Sequence, residues 1–208
     1  MYWTKIFLIA AGFSAVGALP IGMINLSVAE RTIKKGILAG IMVAIGATII
    51  EFVYTFLALY FIDFFLKNEV VGQAIKTIAI FIFIALALFY WFRKHKPVVE
   101  MKSGRYSKSR NFGLGMGIAA LNMLILPYWI FLGLWFKSNQ IRFDTASDIL
   151  FMSLGSALGA LFVFLLYVRL GGFIVDKISK VSYYTNKTLA VLFFSLAVVQ
   201  VIRIAYGY

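Results

Sequence analysis

Long uncharged runs separated by short polar links set the pattern of this chain. Ile6 to Ala29 carries no charge, and Gly36 to Ile62 carries Glu51 alone. A third apolar run lies at about Val70 to Phe92, a fourth at Asn111 to Phe136, a fifth at Ile149 to Val168 and a sixth at about Val181 to Ile202. A helix needs about 20 apolar residues to cross a bilayer, so the pattern predicts six transmembrane helices. The sixth run is the shortest: its uncharged core lies between Lys187 and Arg203 and must borrow residues from Val181 onward to cross.

Two of these runs are interrupted. The first carries Gly17, Pro20 and Gly22, and the fourth carries Gly113, Gly115, Gly117 and Pro127. Proline removes a backbone donor and clashes with the preceding turn. In lipid, a broken helix is tolerated where it is buried or lines a cavity. Discontinuous helices near the midplane are where secondary transporters bind their cargo. The pattern therefore predicts broken first and fourth helices, and a kinked span with close glycine packing is the plainer reading.

The polar stretch 94–110 divides the chain into 1–93 and 111–208, three spans each. An odd number of spans per half inserts the second half upside down, which predicts a 3+3 inverted repeat within one all-α transmembrane transport domain. The second span of each half carries small residues, Gly40, Ala44, Gly46 and Ala47 in one and Ser153, Gly155, Ser156 and Gly159 in the other. Gly113-x-x-x-Gly117 and Gly155-x-x-x-Gly159 have the spacing of close helix-packing faces.

Composition agrees: 62% of the 208 residues are hydrophobic, the profile of an integral membrane protein. The net charge of +12 is accounted for by topology and not by nucleic acid. Of the twenty Lys and Arg, fourteen fall on links 1–2, 3–4 and 5–6, and six on the other side. Basic links stay cytoplasmic, so the 94–110 linker is expected inside and both termini outside. The linker can also meet anionic headgroups. The first run exceeds the apolar region of a cleavable signal, and it is taken as the first mature span. There is no cysteine, and the one histidine is His95, so a thiolate site and a histidine cluster are both excluded.

Glu51 is the most informative residue. It lies near the centre of the window between Lys35 and Asp63. A carboxylate at bilayer depth is costly and marks an ion or proton site by default. Desolvation favours its neutral form, which suits a group that loads and releases a proton. Thr48, Tyr54 and Thr55 share its helix face at i−3, i+3 and i+4. Asn25 and Asn122 lie near the two interruptions, either holding them open around a substrate or serving as interhelical glue. Tyr128 and Trp129 follow Pro127 and are candidates for a gate. No nucleophile constellation or phosphate loop is present, so neither an enzyme nor a nucleotide-driven pump is expected, and no cofactor or metal.

These residues resemble a known family. Gly17-x-x-Pro20-x-Gly22 is similar to the Pro-Gly-Pro signature of the lysine exporter (LysE/RhtB) family. Gly46 followed by Glu51 resembles its glycine-rich second span ending in an acid, and Gly115 with Asn122 resembles its Gly…Asn-Pro motif. The chain departs at Ile21 and Met23, which replace a glycine and a proline, at Met123, which replaces the proline after Asn122, and in Glu51, where Asp is usual. The resemblance implies a six-span exporter of amino acids or related metabolites in a bacterial inner membrane. The site read from the residues themselves is Glu51 with Thr48, Tyr54 and Thr55, together with Gly17, Pro20, Gly22, Asn25, Asn122 and Pro127 at the breaks. Proton antiport is the expected coupling. A cation exporter of the same architecture and a non-transporting scaffold are the alternatives. Assembly into a homo-oligomer is compatible with all of these.

Overall fold

The computed structural model describes residues 2–20, 22–62, 64, 77, 80, 81, 84, 85, 87, 88, 91, 92 and 107–205. The described residues form helices and no strand. They are α1 (Tyr2–Ala18), α2 (Met23–Lys35), α3 (Ile37–Tyr60), α4 (Lys108–Ala120), α5 (Ile125–Ser138) and α6 (Ala146–Ala205). The expected third span falls on scattered described positions, and the linker 94–106 lies outside the described residues.

Among the described residues, two helices are long and apolar enough to cross a membrane. These are α3, with 24 residues, and the Ala146–Gly171 section of α6, with 26. At about 1.5 Å per residue, each exceeds the hydrocarbon thickness. Two further candidates are bent pairs. α1 and α2 meet at 76°, and α4 and α5 meet at 59°. The expectation that the first and fourth apolar runs are interrupted is met at both places.

The two breaks form differently. Leu19 still donates its N–H to Ala15 O at 3.1 Å, but Pro20 has no N–H with which to continue the ladder. In the second, Leu121 donates to Gly117 O at 3.1 Å and Asn122 to Ala119 O at 3.0 Å, so the helix tightens and stops. Pro127 is not at this break. It is the third residue of α5, in a first turn whose N–H groups have no helical partner to lose.

Two of the expected links are helical. Arg31, Lys34 and Lys35 belong to α2, with Lys34 paired to Glu30 at 3.1 Å. The turn into α3 is made at Gly36 alone, with φ +89, a conformation a side chain would strain. The stretch 169–187, expected to join spans five and six, is helical within α6.

The chain divides into two compact units, Met1–Ile62 with Glu100–Asp176, and Asp63–Val99 with Lys177–Tyr208. In the second unit, Ala87, Ala190 and Ala197 are buried. There the Lys187 ammonium lies 3.6 Å from the Trp91 ring centroid and donates to Trp91 O.

In the first unit, α1 and α6 run parallel in close contact. Trp3 stacks on Phe151 at 5.2 Å between centroids, and its indole N–H donates to Asp148 Oδ1. Asp148 and Thr145 exchange bonds across the first turn of α6, a capping box that fixes where the helix begins. Further along, a Cβ at Gly155 would collide with Phe7 O, and one at Gly159 with Ala11 O. α3 and α4 make the same kind of parallel contact. A Cβ at Gly46 would collide with Phe112 O, and one at Gly115 with Val43 O. Gly113 and Gly117, expected to pack, face open space, and Gly115 between them makes the contact instead.

Apolar side chains gather in two clusters. One joins the end of α3 to the starts of α1 and α6 and to α5, through Ile6, Ala10, Ala58, Leu59, Trp129 and Met152. The other joins the start of α3 to α2 and to later residues of α6, through Val28, Val43, Ala47, Ala160 and Phe164. The start of α3 thus lies with the later part of Ala146–Gly171 and its end with the beginning, so these two run antiparallel. Glu51 sits on α3 between the stretches that feed the two clusters.

Candidate functional site

Glu51 is a junction of four elements. Its Oε1 accepts from Trp129 Nε1 of α5 at 3.1 Å, from Ser156 Oγ of α6 at 3.2 Å and from Ser14 Oγ of α1 at 3.4 Å. Ser14 and Ser156 are buried, Trp129 is fully buried, and Glu51 is partly buried. Thr55 Oγ1 lies 2.9 Å from Ser156 Oγ. With the single Ser156 proton given to Glu51, Thr55 is the donor in that pair, and a relay runs from Thr55 through Ser156 to the carboxyl.

The indole N–H can only donate. Oε1 therefore acts as an acceptor here, and a proton bound to Glu51 would sit on Oε2. One carboxyl oxygen is held by three helices while the other is left for the proton.

The remaining expected residues divide around this junction. Thr55 and Trp129 belong to it. Tyr128 lies beside it, donating from its hydroxyl to Phe13 O at 2.7 Å. Its ring passes so near Gly17 that a Cβ there would come within 3.0 Å. Gly17 is thus needed for space at the tyrosine. Thr48 does not join Glu51; its hydroxyl bonds Ala44 O in its own helix at 2.9 Å. Tyr54 turns away as well, donating to Ala120 O at the second break at 2.7 Å.

Asn25 serves the first break. Its amide nitrogen donates to Ala18 O and Pro20 O, each at 2.7 Å. Two carbonyls facing the same atom fix which end of the amide is nitrogen. Its Oδ1 is buried and, among the described residues, is the one buried side-chain polar atom without a partner. Tyr167 of α6 donates to Leu19 O at 2.9 Å, next to these carbonyls. Gly22 caps the start of α2 with no side-chain hydrogen bond, and a Cβ there would meet only Pro20 O, at 4.0 Å. Asn122 lies in the second break, where its carbonyl accepts from Ile125 N at 3.3 Å.

Three participants were not expected as site residues: Ser14, Ser156 and Tyr167. Ser156 lies in the small-residue stripe of the fifth span, where its hydroxyl is the sequence signal of this role.

Among the described residues, long apolar helices, two of them unbroken and two bent pairs, define a multi-pass α-helical membrane protein, here with a carboxyl held between its helices. The family model for LysE type translocators matches residues 15–203, and the chain belongs to that family. No curated protein and no solved structure matches it.

Proposed function

We propose that this protein is a secondary exporter that moves amino acids or related small metabolites across a bacterial cytoplasmic membrane in exchange for protons. The observation that carries this reading is the Glu51 junction. An ionised carboxylate accepts charge-assisted hydrogen bonds that are about twice as strong as neutral ones. Loading a proton on Oε2 would therefore loosen Ser14, Trp129 and Ser156 together, and with them α1, α5 and α6. The ammonium group of an amino acid would compete with the proton for the same charge. The unpartnered Oδ1 of Asn25 supplies a second acceptor for a cargo N–H at the first break.

The architecture behind this reading is six spans in a 3+3 inverted repeat, with 94–110 cytoplasmic and both termini outside. The like contacts of α3 on α4 and of α6 on α1 support the repeat. The parallel course of α3 and α4 agrees with the expected third span. Contacts of the basic linker with anionic lipids, and self-association, belong to the same proposal. A cation exporter is less favoured, since one carboxylate falls short of the six or more oxygens a divalent ion prefers.

The test is Glu51→Gln, which keeps size and hydrogen bonding and fixes the neutral state. Purified protein in vesicles with an imposed pH gradient should move a mixture of amino acids and protons in opposite directions. The Gln variant should fold normally and lose this coupling. Full coupled exchange in the variant would leave Glu51 a structural carboxyl.

A further inference from the structure

We propose that Tyr54 and Tyr167 are a matched pair of positioning residues, each latching the break in a bent helix pair from the unbroken helix beside it, and that opening toward either face releases one of them. This rests on the transport reading but concerns residues outside the carboxyl junction.

The two contacts repeat in register. On α3, Gly46 meets Phe112 O and Tyr54 donates to Ala120 O. On α6, Gly159 meets Ala11 O and Tyr167 donates to Leu19 O. In each case the glycine and tyrosine are eight residues apart, and so are the two carbonyls they meet. At about 1.5 Å per residue, the hydroxyl is anchored about 12 Å beyond the glycine crossing. Each glycine brings two backbones together and fixes the depth at which its tyrosine lands.

The landing point is the break itself. Ala120 ends α4, and Leu19 follows the last residue of α1. In an unbroken helix, each of these carbonyls would bond the N–H four residues on; the break withdraws that partner. A freed carbonyl in hydrocarbon is costly, and the tyrosine supplies the donor. The bond therefore exists only while the bent pair lies against its neighbour.

The latches sit toward opposite ends of the first unit. Tyr54 packs with the apolar cluster at the end of α3, and Tyr167 belongs to the cluster at its start. Glu51 lies between. With both hydroxyls bonded, both ends are held. Alternating access in secondary transporters moves one bundle of helices against another around a fixed site. Each tyrosine then controls one end.

Tyr54→Phe and Tyr167→Phe each remove one oxygen and keep the ring. Ser153→Cys supplies the reporter. Ser153 is fully buried one turn before Ser156 and bonds only its own helix, and the chain has no cysteine of its own. An impermeant maleimide is applied from each side of oriented membranes. Loss of one latch should raise labelling from one side by about 3-fold to about 20-fold, the range spanned by hydrogen bonds between membrane helices. Loss of the other should raise it from the opposite side. p-Aminophenylalanine at either position keeps a donor and should restore the parent pattern. Labelling from the same side in both, no change in either, or loss of the folded form in both would overturn the proposal; the last would make the hydroxyls structural. The labelling needs no cargo. Opposite-sided labelling without any exchange in vesicles would keep the latches and remove the transport reading.

Discussion

Trp129 Nε1 donates to Glu51 Oε1 at 3.1 Å, joining the second half of one bent helix pair to the only acid in α3. The indole is fully buried, and its donor has no other role in the junction. This makes Trp129 the most direct link between the charge on Glu51 and the position of α5.

Trp129→Phe keeps most of the ring packing and deletes the donor. Interhelical hydrogen bonds in membranes average about 0.6 kcal/mol and reach about 1.7. Exchange in vesicles should fall by about 3-fold to about 20-fold, while the yield of folded protein stays near that of the parent. In the Glu51→Gln background, the same substitution should add little, because contacting residues that act as a unit are not additive. An equal loss in both backgrounds would show that the indole acts by packing alone.

The glycine contacts give a stability test with both signs. Gly46→Ala and Gly159→Ala place a methyl against a backbone carbonyl, which cannot rotate away. Each should cost about 1–3 kcal/mol, as overpacking does. Gly113→Ala, on the open side of α4, should be neutral or stabilising by up to about 1 kcal/mol, the propensity gain of Ala over Gly. Thermal unfolding in detergent reads all three; a drop in Tm at Gly113 as large as at Gly159 would remove close packing as the cause.

How much of this could be read from the chain depends on what each residue answers to. Burial answers to composition along the run, so the unbroken crossings at α3 and Ala146–Gly171 and the interruption of the other two runs were legible. Glu51 stands out in the sequence because an acid in an apolar helix is costly, and the structure sets it against three other helices. The second break does not lie at Pro127, which is the third residue of α5. A proline in a helix's first turn does no damage, and the interruption comes earlier, at 121–124, where Asn122 is the residue that marks it and no glycine or proline stands. The partners of Glu51 were illegible. Ser14, Trp129 and Ser156 lie on three helices, and only tertiary packing selects which hydroxyl faces the acid. The polar stripe around Glu51 misled in the same way, since Thr48 satisfies itself on Ala44 O and Tyr54 reaches a different helix.

Orientation across the membrane is the last expectation, and it is decided by charge. Fourteen of the twenty basic residues fall on the links assigned to one side, and short basic links resist translocation. Ser109 at the start of α4 and Ser147 at the start of α6 are both exposed, and they flank one bent pair. If α4 and α5 together cross once, these two positions lie on opposite sides. Ser109→Cys and Ser147→Cys, made singly, stand on a background with no native thiol. An impermeant maleimide added outside intact cells should label Ser147→Cys and spare Ser109→Cys until the membrane is opened. The reverse pattern would invert the protein. Labelling of both from outside would mean that α4 and α5 turn back as a re-entrant loop, and the six-span topology with its inverted repeat would fall with it.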